Sequence, residues 1–244
     1  MKIHNFSAGP CILPQQVLLQ ASESIMDFNG SGLSLIEISH RSKAFVDVIE
    51  EAKDIALDLL DLNNKGYKVL FLQGGASTQF LMTAYNLLEN KASFLNTGSW
   101  SDKAIKEAKL FGAVNELASS KDSNFNYIPK DYSIPSDSDY FHCTSNNTIF
   151  GTQIKDFKES SIPVICDMSS DIFSRVLDFS KFDLSLDLDK VFFSCSNFSL
   201  SLISCRFKLS NFSKLATSKS TFLSLNFFLK VSRFFLKSLI LCIF

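Results

Sequence analysis

The stretch that decides the fold class is residues 68–77, which read Lys-Val-Leu-Phe-Leu-Gln-Gly-Gly-Ala-Ser. Its apolar first half predicts a buried strand, and its two glycines open a run at helical spacing that continues to Leu88. Small residues in such a turn let backbone N–H groups approach an anion, and the helix N-terminus adds a positive partial charge. The same turn also fits a tight strand–helix corner without a ligand, so the turn by itself leaves both interpretations open.

Strands and helices alternate on both sides of this stretch. Helices are predicted over residues 14–28, over a long amphipathic run that begins near Ser42, and over residues 102–110; short apolar strands are predicted at residues 92–95, 140–143 and 164–166. This alternation predicts an α/β fold with a mostly parallel sheet. In such sheets ligands bind beyond the carboxyl ends of the strands.

The composition excludes several classes of protein. Of the 244 residues 46% are hydrophobic and 20% are charged, which is typical of a globular chain, and a net charge of −1 gives no basic field for nucleic acid. The six cysteines form no Cys-x-x-Cys pair, which argues against a zinc ribbon or a disulfide framework, so no metal site is expected. Residues 1–5 lack the apolar run of a signal peptide, and a cytoplasmic location is expected.

The composition changes near residue 184. All nine glycines lie at or before Gly151 and the last proline is Pro163, so the turn-forming residues are confined to the first part of the chain. Residues 185–244 contain 13 Ser, 12 Leu and 11 Phe and carry eight basic but only two acidic side chains. We therefore divide the chain into a globular unit, 1–184, and a divergent tail, 185–244, which is expected to be frameshifted, degenerate or newly acquired.

Several polar residues follow the predicted strands and are candidates for a ligand site. Asp167 comes directly after the strand at 164–166, where its carboxylate suits a pyridinium or ammonium ion or, alternatively, caps the next turn. Trp100, the single tryptophan, lies in a polar loop where its ring suits either a flat cofactor or the core. Thr148 either forms a hydrogen bond with a ligand hydroxyl or belongs to an ordinary polar loop. His40-Arg41 precedes the second predicted helix. The planar guanidinium of an arginine suits a carboxylate or a phosphate, but Arg41 also fits an ordinary surface arginine that binds no ligand.

These motifs occur together in an order that resembles the phosphoserine aminotransferases, a family in the class V group of fold type I pyridoxal-phosphate (PLP) enzymes. The matching segments are Phe6-Ser7-Ala8-Gly9-Pro10, Glu37-Ile38-Ser39-His40-Arg41-Ser42, the strand that enters Gly74-Gly75-Ala76-Ser77, Trp100, residues 146–151 and residues 167–175. The resemblance covers residues 1 to about 184 in nearly unbroken register. It implies the large domain of a PLP-dependent transferase with its C-terminal part incomplete.

The resemblance also implies roles for individual residues. Ala76 and Ser77 match the contacts to the PLP phosphate, Trp100 the aromatic ring stacked on the cofactor, Thr148 the contact to its phenolic oxygen, and Asp167 the partner of its pyridine nitrogen. Arg41 matches the arginine that binds the substrate carboxylate, and His40 lies beside the substrate phosphate. In the family, a homodimer transfers the amino group of glutamate to 3-phosphohydroxypyruvate in serine biosynthesis.

The resemblance ends where the family carries its Schiff-base lysine. The motif Gly-Ala-Gln-Lys-Asn is absent, and residues 185–193 read Ser-Leu-Asp-Leu-Asp-Lys-Val-Phe-Phe instead. Lys190 falls within one residue of the expected distance from Asp167, but its neighbours do not match, so it is only a weak catalytic candidate. Impaired transamination is therefore expected, because this lysine is both the covalent tether and the base that moves the substrate proton.

The tail leaves a different class of function open. In residues 221–244, Asn226, Lys230, Arg233 and Lys237 fall on one face of a predicted helix. This basic amphipathic pattern is compatible with a membrane surface, with a helix packed on the α/β unit, or with a remnant that packs on nothing. The alternative to an aminotransferase is therefore a non-catalytic remnant, or a module that uses this tail to bind a membrane or a partner.

Overall fold

The computed structural model describes His4, residues 14–187 and residues 200–206, and within them helices and strands alternate as the sequence predicts. The elements are α1 (Gln15–Met26), α2 (Lys43–Leu59), β1 (Tyr67–Gln73), α3 (Gly75–Leu87), β2 (Lys91–Asn96), α4 (Ser99–Ala108), β3 (Ala113–Ser119), β4 (Tyr140–Thr144), β5 (Asn146–Asn147), β6 (Thr152–Gln153), β7 (Val164–Asp167), β8 (Leu184–Asp187) and β9 (Leu200–Arg206).

Seven of these strands form one sheet in the order β1-β9-β8-β7-β4-β2-β3. The neighbours from β8 to β3 are parallel, whereas β9 runs antiparallel to both β1 and β8. The predicted α/β class with a mostly parallel sheet is therefore confirmed. The sheet continues on both sides of residue 184, because β8 begins at Leu184 and pairs with β7 through Ile165↔Leu184.

Local sequence explains where the helices begin. Ser42 caps α2 by accepting a hydrogen bond from the backbone N–H of Phe45 at 3.3 Å. α3 starts directly after β1 because Gly74 adopts a left-handed conformation with φ of 118°, which reverses the chain at no steric cost. α4 begins at Ser99, three residues before the predicted start, because the hydroxyl of Ser101 accepts the backbone N–H of Gly98 at 2.9 Å.

The sheet is apolar on both faces. On one face α3 and α4 pack through Phe80 and Ile105 against Phe94 and Leu186. The other face holds a second cluster that includes Phe141 and Phe182. All five residues of β4 are buried, as expected of a central strand in a parallel sheet that is covered on both sides.

One strand of the sheet was not predicted from the sequence, and two predicted features lie outside the described residues. The strand β3 was not predicted, because it lies at the sheet edge and carries Asn115 and Glu116 among half-exposed residues, which weakens any apolar pattern. Lys190 and the amphipathic segment 221–244 lie outside the described residues. None of the described helices combines the length and the apolar character that crossing a membrane requires.

Candidate functional site

The candidate site lies at the carboxyl edge of the parallel strands. α3 begins after β1, α4 begins after β2, the loop that holds Thr148 follows β4, and Asp167 is the last residue of β7. Because parallel strands end at the same edge, residues far apart in sequence meet there. The sequence predicted this edge as the place for a ligand.

The first turn of α3 is suited to an anion. Gly74 and Gly75 both have positive φ, at 118° and 61°, and a Cβ at Gly74 would lie 2.7 Å from the Cβ of Thr78. Ala76 is half-buried against the core and Ser77 is exposed. The N–H groups of a first helical turn have no partner inside the helix, so this turn presents unpaired donors and the positive end of the helix dipole.

The structure brings Trp100 and Thr148 into contact. The indole Nε1–H donates a hydrogen bond to the Thr148 hydroxyl at 3.3 Å, although the two residues are 48 positions apart. The ammonium of Lys103 lies 4.5 Å from the centroid of the Trp100 ring. Trp100 is half-buried rather than a core residue, which leaves part of its ring available to a flat ligand.

A buried polar network that sequence reasoning missed holds this contact in place. The amide of Asn147 donates to the hydroxyls of Thr97 at 3.2 Å and Thr152 at 3.1 Å, and so joins the loop after β2 to the hairpin β5–β6. The buried Ser101 hydroxyl accepts the backbone N–H groups of Thr97 and Gly98, each at 2.9 Å. The only sequence signal was a polar run after a buried strand.

Gly98→Ala tests how tightly this network is packed. A Cβ at residue 98 would lie 2.7 Å from Oδ1 of Asn147 and 3.2 Å from the Phe150 ring. We expect the substitution to lower the free energy of unfolding by about 1–3 kcal/mol, because Asn147 cannot move without breaking its own hydrogen bonds. Urea unfolding measures the loss. Ser99→Ala, one residue along, adds no atom and is the control; equal stability of the two variants would contradict the packing argument.

Asp167 is buried at the end of β7, with 4% of its surface exposed. Its Oδ1 accepts the backbone N–H of Ser169 at 3.1 Å and also the Ser169 hydroxyl. This local turn is the capping role that the sequence left open. The backbone carbonyl of Asp167 accepts the N–H of Ser145 at 2.9 Å, which ties the end of β7 to the loop that leads to Thr148.

One buried hydroxyl beside Asp167 is unpaired. Thr144 and Asp167 are direct register partners in β4 and β7, and Thr144 Oγ1 is buried with no hydrogen-bond partner in the described part of the chain. Unpaired buried hydroxyls are rare because their desolvation is costly, and they commonly mark a place for water or a ligand. The edge therefore combines a helix start suited to an anion, an aromatic ring, a buried carboxylate and a hydroxyl that has no partner among the described residues.

The other predicted site residues are not linked to this edge by a contact among the described residues. Arg41 is exposed in the turn before α2, where its backbone N–H donates to Ser39 Oγ at 3.2 Å, and His40 beside it is half-buried. Their predicted role toward a substrate stays a prediction, and so does that of Lys190.

His142 is a buried titratable residue that the sequence analysis did not single out. It lies on β4 between the rings of Phe94, stacked at 5.1 Å, and Phe80, edge-on at 5.8 Å. Both ring nitrogens lack a hydrogen-bond partner in the described region, and burial lowers the pKa of His142 from 6.5 to about 3. The imidazole is therefore neutral and belongs to the core, not to the site.

Comparison with known proteins agrees with this geometry. The family model for aminotransferase class V matches residues 3–195, most of the chain, so the chain belongs to the class V aminotransferases. Enzymes of this family depend on PLP. The resemblance predicted from the sequence is confirmed.

Among individual relatives, the chain is similar to phosphoserine aminotransferases. Phosphoserine aminotransferases from Flavobacterium psychrophilum and Flavobacterium johnsoniae are 67% and 65% identical to this chain over 186 residues. Those 186 residues are 75% of this chain but 52% of each relative, so the chain spans about half the length of the relatives it matches.

Solved structures extend the likeness to the fold. The phosphoserine aminotransferase from Bacillus circulans superposes with a TM-score of 0.76 at 40% identity, covering 83% of this chain and 56% of that one. A PLP-bound phosphoserine aminotransferase from Trichomonas vaginalis gives a TM-score of 0.76 at 31% identity, with 84% and 58% covered.

Proposed function

We propose that this chain carries the PLP-binding half of a phosphoserine aminotransferase. The observation that carries the proposal is the meeting of Trp100, Thr148 and the buried Asp167 at one sheet edge. The family relationship supports the reaction class, which converts 3-phosphohydroxypyruvate and glutamate to phosphoserine and 2-oxoglutarate. A homodimer, small-molecule substrates and a cytoplasmic location follow from the same relationship and are part of the proposal.

The residues present fit PLP in shape and charge. The phosphate suits the first turn of α3 at Ala76 and Ser77, where unpaired N–H groups and the helix dipole favour an anion. Trp100 supplies a ring for stacking, and the Thr148 hydroxyl lies 3.3 Å from Nε1 of the Trp100 indole. Asp167 offers an anion to a cationic ring nitrogen, and the buried Thr144 hydroxyl has no hydrogen-bond partner within the part of the chain that the structure describes.

PLP, when bound, supplies an electron-accepting ring that stabilises the carbanion of an amino-acid substrate. Asp167 keeps the ring nitrogen protonated, because a buried carboxylate favours the positive form of its partner. The Ser169 donors fix the orientation of that carboxylate. Arg41 is proposed to bind the substrate carboxylate with its planar fork, and His40 to lie beside the substrate phosphate.

A second candidate function is PLP binding without turnover. The specific observation that favours it is the sequence beyond residue 184, which lacks Gly-Ala-Gln-Lys-Asn. Asp167, Trp100, Thr148, Ala76 and Ser77 all precede that point, so cofactor binding and proton transfer are separable in this chain. A role of the basic tail at a membrane or a partner rests on sequence alone, since its amphipathic segment 221–244 lies outside the described residues.

The proposal is tested by titrating the full chain with pyridoxamine phosphate, which lacks the aldehyde and so cannot react with surface lysines. Trp100 is the single tryptophan, so quenching of its emission reports on the site directly. We expect saturable quenching, and a Kd that rises about tenfold to a hundredfold in Asp167→Asn and Asp167→Ala, because a hydrogen bond between charged groups is lost.

The control is Asp183→Asn at the opposite end of β7, where the carboxylate accepts the backbone N–H of Val164 at 3.0 Å. This variant removes an aspartate charge next to the first residue of β7 without touching the proposed site, so its Kd should stay at the wild-type value. Equal Kd values for the Asp167 variants and the wild type would count against the whole assignment.

A further inference from the structure

An ion pair between a buried aspartate and a half-buried arginine follows Asp167 in the chain. The side chain of Asp171, four residues after Asp167, is 1% exposed and faces the guanidinium of Arg175. Arg175 Nε lies 3.1 Å from each carboxylate oxygen, and Nη2 lies 2.6 Å from Oδ2. The Ser174 hydroxyl donates to Oδ1 at 2.8 Å. Burial alone would raise the pKa of Asp171, but the hydrogen bonds from Arg175 and Ser174 outweigh it and lower the pKa, so the carboxylate is charged.

The pair connects two segments that carry site residues. Gln153 of β6 donates its amide to Asp171 Oδ1 at 3.0 Å, and Arg175 Nη2 donates to the backbone carbonyl of Ile154 at 2.8 Å. β6 pairs with β5 through Asn147↔Thr152, and Thr148 is the next residue after β5. The pair therefore joins the hairpin that carries Thr148 to the loop that follows Asp167.

We infer that Asp171 and Arg175 are positioning residues that fix the distance between Asp167 and Thr148. This inference rests on the proposed function, because those two residues are the proposed contacts to two positions of the cofactor ring, its nitrogen and its phenolic oxygen. Neither Asp171 nor Arg175 is placed against the ring, so both act through the backbone segments they hold together.

The geometry of the pair explains why a positive charge alone would not replace the guanidinium of Arg175. The guanidinium uses Nε and Nη2 together, and Nη2 serves both the carboxylate and the Ile154 carbonyl. A lysine ammonium is a point charge without this planar fork, so Arg175→Lys keeps the charge but cannot hold the carboxylate and the carbonyl in one plane. Gln153→Met keeps the ion pair and the bond from Arg175 to the Ile154 carbonyl, and it removes the hydrogen bonds of the Gln153 amide with Asp171 and Lys155.

The test compares Arg175→Lys and Gln153→Met with Tyr67→Phe in the full chain. Tyr67 donates a buried hydrogen bond to the carbonyl of Phe182 at 2.9 Å, away from the hairpin, so its loss weakens the fold without touching the proposed linkage. Three quantities are measured: the urea midpoint, the Kd for pyridoxamine phosphate from Trp100 emission, and hydrogen exchange at the N–H of Gly151, which bonds to the Asn147 carbonyl at 2.8 Å.

We expect Arg175→Lys to raise the Kd about tenfold, the lower end of what supporting partners of bound groups contribute, and to speed exchange at Gly151. Gln153→Met should move both in the same direction by a smaller factor. Tyr67→Phe should lower the urea midpoint and leave the Kd and the Gly151 exchange rate unchanged.

A purely structural role for the pair would give Arg175→Lys the same profile as Tyr67→Phe, and that result overturns the inference. If Arg175→Lys does not fold, Gln153→Met decides the question instead. An unchanged Kd and an unchanged exchange rate in Gln153→Met would also overturn the inference. If the wild type does not bind pyridoxamine phosphate, the proposed function fails, and the Gly151 exchange rate alone decides whether the pair orders the hairpin.

Discussion

Unfolding of this protein is expected to become steeply pH-dependent as the pH falls below 6.5. The cause is His142, whose imidazole is buried between Phe80 and Phe94 and has a pKa lowered by burial to about 3. In the unfolded chain the same imidazole takes up a proton near its ordinary pKa of about 6.5. Between these two values the unfolded state binds one more proton than the folded state, so stability falls as the pH falls.

The expected loss is about 1.4 kcal/mol for each pH unit below 6.5, which amounts to about 3 kcal/mol by pH 4.5. That is a large share of the roughly 5–15 kcal/mol by which small domains are stable. Buried carboxylates contribute at lower pH. The pKa of Asp171 is lowered below its ordinary value of 3.8, so its contribution is lost only under more acidic conditions.

Urea unfolding at several pH values between 7 and 4.5 measures this slope. His142→Leu should flatten it, since a leucine of similar volume has no proton to bind. At pH 7 the variant should be about as stable as the wild type, because the imidazole has no hydrogen bond among the described residues to lose. His40→Gln is the control and should retain the slope; a wild-type slope in His142→Leu would show that other groups cause the acid loss.

The fold could be predicted from the sequence because its signals are local. The strand at residues 68–72 and the turn Gly74-Gly75 decide the α/β class, and the structure confirms it. The edge strand β3 could not be predicted, because none of its residues is fully buried and its polar side chains obscure the alternating apolar pattern of a strand. The insertion of β9 between β1 and β8 depends on pairing across the whole sheet, which no local pattern encodes.

The candidate site was partly predictable for a related reason. Asp167, Trp100 and Thr148 each follow a predicted strand, and parallel strands end at a common edge, so their convergence follows from the fold class. The residues that hold them did not stand out. Asn147 and Thr97 are 50 positions apart, and Gln153 and Asp171 are 18 apart, so these hydrogen bonds exist only in three dimensions.

Transamination of phosphoserine with 2-oxoglutarate is expected to be slower, by orders of magnitude, than the 1–10³ turnovers per second that are typical of enzymes. The reason is chemical. The family's lysine is the covalent tether and the base that removes the substrate proton, and the segment after Asp183 contains no Gly-Ala-Gln-Lys-Asn. None of the described residues at the edge replaces that lysine in the proposal, which gives Asp167 to the ring nitrogen and Thr148 to the ring oxygen.

The measurement is a coupled assay of the full chain saturated with PLP, with the Kd of pyridoxamine phosphate determined in parallel. Retained binding with negligible turnover supports the cofactor-binding function without catalysis. Turnover in the typical range would contradict the expectation, and Lys190→Ala then becomes the decisive variant. Loss of that turnover in Lys190→Ala, with Lys181→Ala unaffected, would mean that the altered segment still delivers a lysine to the cofactor. Lys181 is a suitable control because its ammonium pairs with Glu159 at 2.8 Å, away from the carboxyl edge.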